Sequence, residues 1–395
     1  MDVVFAAIKV IITTIVSFGL GAYAYNAKTD RIQKSTFTTV YTIILISTFC
    51  TIYVQDIINQ AINGDFDINN VGKLYSNLNI VAGILSFIVH IFYVQRHIDF
   101  INDSRPHLAN IIDFLDDNDG RIERGVLKVA VKVFLFPIVL EIVLILRSMH
   151  FYPDRNLLWT IYTLIPYVLR TVPATSVYGM TLLCAGFIEV MNLRVKLIVD
   201  EVNRMSTHKE WLCKTSFHRM QRYCDLSDKI DKLNYVYNVI IDVSNELLDF
   251  SSLPWLCSMM CNVVGIMSGA FTQYMSIADA VISGKEYDYY NVMTDSAFML
   301  ISLMEIHTQS GSCATTIEQI RQTGIILGQA DTTKADVRIR QAFEFFNLSI
   351  LQRDFKIKPL GLIYVDWSLL HGVFATVTSF LLILIQADLS RRFLQ

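Results

Sequence analysis

The amino-acid sequence predicts an all-α, polytopic membrane protein with seven transmembrane helices. Three observations carry that prediction. Of 395 residues, 53% are hydrophobic and only 17% are charged, against about 25% charged in a soluble domain. Mean hydropathy is +0.42. The apolar residues are gathered into stretches of about 20, the length that crosses a bilayer as a helix. With 17 Gly and 7 Pro, the chain is too poor in both for disorder or a fibrous repeat. A net charge of −3 does not supply the basic face that nucleic-acid binding needs. Seven Cys without paired spacing specify neither a disulfide framework nor a zinc site.

The stretches fall at 35–56, 76–95, 127–147, 157–187, 251–275, 289–309 and 367–387. The fourth is long and holds Pro166 and Pro173, which should kink it. An eighth apolar run, 3–24, carries Lys9 and starts Met1-Asp2. It reads best as a helix lying in or near the inner interface. A spanning helix is one alternative, and a cleaved signal is another, because Ala22-Tyr23-Ala24 resembles a signal-peptidase site.

Orientation follows from the basic residues, which concentrate in cytosolic loops. Segments 1–34, 96–132, 188–250 and 310–366 together hold 26 Lys and Arg, and the alternate segments hold 5. The N-terminus and the long even-numbered loops are therefore expected in the cytosol, with the C-terminus outside. A G-protein-coupled receptor has the opposite orientation, and its Asp-Arg-Tyr and Asn-Pro-x-x-Tyr signatures are absent here. Sequons at Asn102 and Asn347 fall in loops predicted cytosolic and should stay unglycosylated.

The cytosolic part reads as helical. Residues 187–253 contain no Gly, and no Pro. Leu226, Ile230, Leu233, Tyr237, Ile240, Ser244 and Leu247 step by alternate fours and threes, which is a heptad-type seam. Helices four and five should continue into the cytosol and pack there, either within one subunit or between subunits. A further helix is expected over 335–354, ending near Lys358-Pro359 with a turn at Gly361. The resulting division is 1–34, a cytosolic or interfacial helix; 35–187, helices one to four; 188–250, cytosolic extensions; 251–309, helices five and six; 310–365, a cytosolic helix and linker; 366–388, helix seven; and 389–395, a short outer tail.

Helix seven is apolar except along one stripe. Gly372, Thr376, Ser379, Ile383 and Gln386 step by 4, 3, 4, 3 and share a face. Small and polar groups in a narrow stripe suit an axis where identical helices meet water. Ile383 can form a dewetting ring, and Gln386 one turn on can offer an ion its amide. The same stripe also suits tight packing against another helix. A lipid-facing amide at Gln386 is costly either way.

Intramembrane ionisable and aromatic residues mark a candidate pocket. Tyr167, Arg170, Thr171 and Tyr178 lie on related faces of helix four. His90 and Tyr93 belong to helix two, Tyr274 to helix five, and Asp295 and Phe298 to helix six. Arg170 suits an acidic or hydroxyl group of a ligand, or an internal partner such as Glu141 or Asp295. A lone buried histidine such as His90 is more often a satisfied core group than a ligand contact. No catalytic signature accompanies these residues. Asp116-Asp117-Asn118-Asp119-Gly120 lacks the ligand spacing and terminal Glu of a calcium loop. Neither a metal nor a cofactor is expected.

The end of the chain carries a resemblance. Ser379-Phe380-Leu381-Leu382-Ile383-Leu384-Ile385-Gln386-Ala387 is similar to the C-terminal signature of insect gustatory receptors, Thr-Tyr, five hydrophobics and Gln-Phe. The spacing, the hydrophobics and Gln386 are kept. Ser379 replaces Thr, Phe380 replaces Tyr and Ala387 replaces Phe. Gly361-Leu362-Ile363-Tyr364-Val365-Asp366 upstream also matches in character. The resemblance implies the insect chemoreceptor channel fold. It further implies a homotetramer, or a heteromer with other receptors, that opens a non-selective path for Na, K and Ca ions when a small-molecule tastant binds. Thr376, Ser379, Phe380, Ile383 and Gln386 would line or gate the pore, in the plasma membrane of sensory neurons. Leu381 stands where sugar-sensing members often carry Glu, which favours the non-sugar, bitter-type group. An odorant-type channel is the near alternative. A secondary transporter would need an inverted repeat with broken helices, and the sequence has none.

Overall fold

The computed structural model describes residues 16, 19, 21–26, 31–62, 71–115, 157–207, 215–283, 289–333 and 335–394. A short hairpin, β1 (Tyr23–Asn26) and β2 (Arg31–Lys34), precedes eight α-helices among these residues. The helices are α1 (Thr36–Ile62), α2 (Val71–Phe92), α3 (Val94–Leu115), α4 (Leu157–Thr207), α5 (Ser216–Ser283), α6 (Tyr289–Gly328), α7 (Val337–Arg353) and α8 (Trp367–Leu394). The end of the bundle where α8 finishes is called upper, and the end that carries α7 is called lower. The expected segment 127–147 and most of 1–22 lie outside the described residues.

Exposure is inverted relative to a soluble protein. Ile43, Ile44 and Val54 of α1, Met260 and Ile277 of α5, and Leu300 and Met304 of α6 are large, apolar and exposed. Asn79, Ser258, Asn262, Ser302 and Thr323 are buried. A bilayer accounts for both, since it solvates apolar faces and leaves polar groups to find partners inside. Among the described residues, α1, α5 and α8 are each long and apolar enough to cross a membrane, and α2 with α3 makes a fourth candidate, bent by 66°.

That bend, at Tyr93, was not expected, nor was a helix over 94–115. The sequence predicts a continuous span over 76–95 followed by a loop. The hydrogen bond from the Tyr93 amide to Val89 (2.9 Å) and that from His97 to Tyr93 (2.9 Å) carry the backbone through the turn. The strands at 23–26 and 31–34 likewise stand where helix was expected within 1–34. Tyr23 is buried against Val94 and Ile98 of α3. Asn102 of α3 accepts from the Ile32 amide (2.9 Å) and donates to the Ile32 carbonyl (2.8 Å), as a neighbouring strand would. That sequon asparagine is thus committed inside the chain. No periodicity within four-residue strands announces this docking.

α4 and α5 have 51 and 68 residues. At 1.5 Å per residue they reach about 76 and 102 Å, far beyond a hydrocarbon layer of about 30 Å. α4 runs unbroken through Pro166 and Pro173, and α5 runs through Pro254. Their overhang is the lower end. All seven seam residues from Leu226 to Leu247 are buried. The lower five join Val195, Val199 and Val202 of α4 and Ile339, Phe343 and Phe346 of α7 in the main core. The seam therefore packs within one subunit. Tyr237 lies 5.7 Å from the Phe346 ring centroid, and burial pushes its phenol up to about 12. Ion pairs ring this core: Arg338 to Asp228 (2.5 Å), Arg222 to Glu201 (2.7 Å), and Arg353 to Asp242. They are exposed and add little each.

The helix expected over 335–354 is α7, which stops at Arg353, before Lys358-Pro359. A turn at Pro359–Gly361 follows, with Gly361 at φ +70°, as a glycine allows. α8 then starts on a cap: the Ser368 amide donates to the Asp366 carboxylate (2.8 Å).

Candidate functional site

A buried polar network crosses the middle of the bundle. Arg170 of α4 is 1% exposed and Glu305 of α6 is 3% exposed. The Arg170 guanidinium donates to Asn262 Oδ1 (2.9 Å) and to the Ser258 carbonyl (3.4 Å), both on α5. Its charge also acts on Glu305. Gln309 Nε2 donates to Glu305 Oε1 (3.2 Å), and Trp255 Nε1 donates to Gln309 Oε1 (3.0 Å). Three helices are thereby joined by one set of groups. Buried charge is tolerated where an opposite charge and hydrogen bonds surround it. Of the partners expected for Arg170, Glu141 lies outside the described residues. The carboxylate brought within its field is Glu305, which the sequence reading had not singled out.

The network continues downward along α4 and α6. Arg170, Thr181, Asn192 and Asn203 recur every eleven residues, three turns of helix. Thr181 Oγ1 meets Ser312 Oγ at 3.0 Å, and Thr316 Oγ1 donates to the Thr181 carbonyl (3.0 Å). Asn192 donates to the Gln319 carbonyl (2.9 Å) and accepts from Thr323 (2.6 Å). Asn203 donates to the Gln329 carbonyl (3.1 Å) and accepts from the Asp331 amide (2.7 Å). On α6 the partners Glu305, Gln309, Ser312, Thr316, Gln319 and Thr323 step by 4, 3, 4, 3, 4, a heptad stripe of polar residues.

One column of the expected pocket residues assembles along α5. Ser258, Asn262, Gly265 and Gly269 share a face. Arg170 sits against the first two. Phe298 sits at Gly265, where a Cβ would fall 3.2 Å from its ring and 3.0 Å from that of Tyr75. The rings of Tyr75 and Phe298 meet edge to face at 5.6 Å. At Gly269 a Cβ would fall 2.6 Å from Met299 and 3.8 Å from the Asp295 carbonyl. Arg170, Asp295 and Phe298, all buried, therefore lie along adjoining turns. Thr171 is buried beside Arg170, and its carbonyl accepts from Thr175 (2.8 Å). Tyr178 is buried lower on α4. Tyr167 is in α4, with its side chain outside the described residues.

The other expected residues lie elsewhere. His90 is at the lower end of α2, with Nδ1 2.7 Å from the Ser86 carbonyl and its ring 5.1 Å from that of His97. His97 in turn packs on Phe250 at 4.3 Å. Tyr93 stands at the α2–α3 bend, 40% exposed. Tyr274 donates to Asp388 of α8 (3.1 Å), so its hydroxyl serves the α5–α8 contact.

α8 leans on the bundle by one face only. Val373, Val377 and Leu381 pack with Val263, Ile266 and Met267 of α5 and Ile306 of α6. Trp367 rests on His307, ring to ring at 5.2 Å, and over Gly311. Gly372, Thr376, Ser379, Ile383 and Gln386 are exposed, Ile383 to 59%. Thr376 and Ser379 return their hydroxyls to the Gly372 and Ala375 carbonyls (2.8 Å each). Phe380 is exposed beside them.

Membrane-crossing helices with a polar interior, a long helical overhang and a final helix bared along a polar stripe define a polytopic helical membrane protein. Residues 8–391 match the model of the 7tm chemosensory receptor family, and the chain belongs to that family. It is 30% identical over 377 residues to putative gustatory receptor 94a of Drosophila melanogaster, covering 95% of this chain and 93% of that protein. It is 26% identical over 378 residues to putative gustatory receptor 97a of the same fly, covering 95% and 88%. Its fold is similar to that of the insect olfactory receptor OR5 from Machilis hrabei. The complex with eugenol aligns with a TM-score of 0.61 at 11% identity, and the structure without it at 0.55 and 12%. Each alignment covers 96% of this chain and 97% of the receptor.

Proposed function

We propose that this gustatory receptor is a ligand-gated, non-selective cation channel in the plasma membrane of sensory neurons, opened by a small tastant held between its helices. The observation that carries the reading is the bare stripe on α8. Among the described residues nothing covers Gly372, Thr376, Ser379, Ile383 and Gln386, so the intrasubunit packing that the sequence also allowed does not account for them there. A lipid-facing Gln386 is unfavourable, and a water-filled axis shared by identical α8 helices removes that cost. Phe380 flanks the stripe, and the chain is a tetramer around it, passing Na, K and Ca ions.

Seven spans with the N-terminus inside and the C-terminus outside fit the 26-to-5 placement of basic residues. The lower end is then cytosolic and anchors the assembly. Phe345, Leu348 and Leu351 of α7, with Leu360 and Leu362 of the turn, are exposed and apolar there, and beyond the bilayer such a surface suits a neighbouring subunit. The tastant site is the column formed by Arg170, Thr171, Asp295 and Phe298, with Tyr167 and Tyr178 on the same helix as Arg170. Leu381 supports the bitter-type group.

The second reading is an odorant-type channel. The likeness to a receptor solved with eugenol favours it, while the higher identity to gustatory receptors weighs for taste. Calcium imaging of cells expressing the chain, challenged with sugars, alkaloids, glycosides and volatile phenols, separates the two. Voltage-clamp recording of Gln386→Ala tests the pore: altered conductance or Na/Ca selectivity is expected, and unchanged values refute the assignment.

A further inference from the structure

The upper end of α8 is tied to α5 by a charge cluster of which only Tyr274 was among the expected site residues. Arg392 Nε donates to Asp388 (2.7 Å), and a terminal nitrogen of Arg392 donates to Asp279 of α5 (2.8 Å) and contacts the Met275 sulfur (3.5 Å). Tyr274 of α5 donates to the other side of the cluster, at Asp388 (3.1 Å). The Arg392 side chain is 18% exposed, Asp388 13% and Asp279 32%, so solvent screens the group only partly. Among the described residues these are the polar side-chain ties between α8 and the other helices. All of them lie in its last two turns. Below them α8 is held by apolar contacts and by Trp367, which permit sliding more readily than a directional ion pair does.

The placement of the cluster gives it a direction. Positions 373, 377, 381, 388 and 392 lie on one face of α8, the face against the bundle. Ile383 and Gln386 lie on the bare face. A tie at 388 and 392 therefore pulls the upper end of α8 toward its own subunit and away from whatever the bare face meets. We propose that Arg392, with Asp279, Asp388 and Tyr274, is a latch that holds the upper end of α8 back from the pore axis and so favours the open gate. The proposal rests on the reading of α8 as the pore helix. It makes Tyr274 a positioning residue for the gate.

Two measurements on the full chain test it. Hydrogen exchange on purified R392Q should quicken roughly three- to tenfold at amides 384–394, with 370–378 unchanged. Basal cation current per surface channel, recorded in sodium saline, should fall by a similar factor. Asp279→Asn should lower it too, and adding it to R392Q should lower it little further, because both remove one interaction. Tyr274→Phe gives a smaller fall and carries the test if R392Q does not reach the surface. Unchanged exchange overturns the latch while leaving the channel reading intact. Faster exchange with unchanged or larger current, or additive losses, overturns its role in gating. A wild-type chain that passes no current overturns the channel reading and the proposal together.

Discussion

Replacing Arg170 by Met keeps most of the side-chain volume and removes the charge, and its cost follows from the neighbours left behind. Glu305 is almost fully buried, and the charge that compensates it from α4 disappears. Breaking a contacting buried pair by removing one partner costs about 3–5 kcal/mol, and Arg170 and Glu305, linked through Asn262 rather than in contact, fall at the lower end of that range. Asn262 Oδ1 also loses its donor, at 2.9 Å in the intact chain, and a buried acceptor left alone costs about 1–3 kcal/mol. These losses overlap, so about 4 kcal/mol is the working figure. Unfolding entropy near 2.1 cal/mol/K per residue gives about 0.8 kcal/mol/K for 395 residues, and the expected fall in Tm is about 5 °C. The check is thermal unfolding of detergent-purified protein followed by tryptophan fluorescence, alongside the double variant Arg170→Met, Glu305→Met. Removing both charges replaces a buried pair by apolar groups, which is close to neutral, so the double variant should recover most of the loss. A single variant that melts within 1 °C of wild type, or a double variant worse than either single, would show that the two residues are not coupled and refute the network as drawn.

Two further outcomes test the packing around it. Gly311→Leu should drive Trp367 off its seat, because even a Cβ there lies 3.1 Å from the ring. Overpacking of this kind costs about 1–3 kcal/mol. The same substitution in a Trp367→Ala background should cost less, and equal losses in both backgrounds would exclude the contact. Tyr237→Phe should be neutral or slightly stabilising in the same melts. Its hydroxyl is buried in the lower core with no hydrogen-bond partner, so deletion removes a desolvation penalty and no bond. A loss above about 1 kcal/mol would reveal a partner.

The apolar seam from Leu226 to Leu247 was legible because a heptad of large apolar residues between polar faces has one outcome in water: burial against another helix. The stripe on α8 was legible for the converse reason. Polar residues on an otherwise apolar helix stand out, although only the structure distinguishes a bare stripe from a packed one. The stripe on α6 carries the same 4, 3, 4, 3, 4 signal from Glu305 to Thr323 and was passed over. In a soluble helix such a row would face water, and that habit of reading misleads in a bundle whose solvent is lipid. The eleven-residue recurrence of Arg170, Thr181, Asn192 and Asn203 was likewise visible, and it lacked meaning without the partner stripe. The pocket residues were chosen by type and depth. Of the residues so chosen, the structure brings Arg170, Asp295 and Phe298 together along the α5 column and sets Tyr274 apart on Asp388, 114 residues away in sequence. The hairpin at 23–34 depends on one distant side chain, Asn102, and no local pattern encodes it.

The polar α4–α6 interface also constrains how a signal can pass. Apolar helices in lipid slide past one another with little penalty, because lipid tails replace helix contacts almost evenly. Hydrogen-bonded steps at 181, 192 and 203 have one register, and shifting α6 by a turn would break them all. Each is modest, about 0.6 kcal/mol on average inside a membrane and about 1 kcal/mol in the overhang, yet they must be lost together. α4 and α6 are therefore one body over this length. Trp367, the first residue of α8, is seated on His307 and Gly311 of α6, within two turns below Glu305. On the proposed reading, a ligand that displaced Arg170 or Phe298 would act on that body, and the body would carry the lower end of α8 with it. The upper end stays tied to α5 through Arg392. Motion at one end against restraint at the other would tilt α8, and in the proposed channel a tilt would change the separation of Ile383 side chains on the bare face.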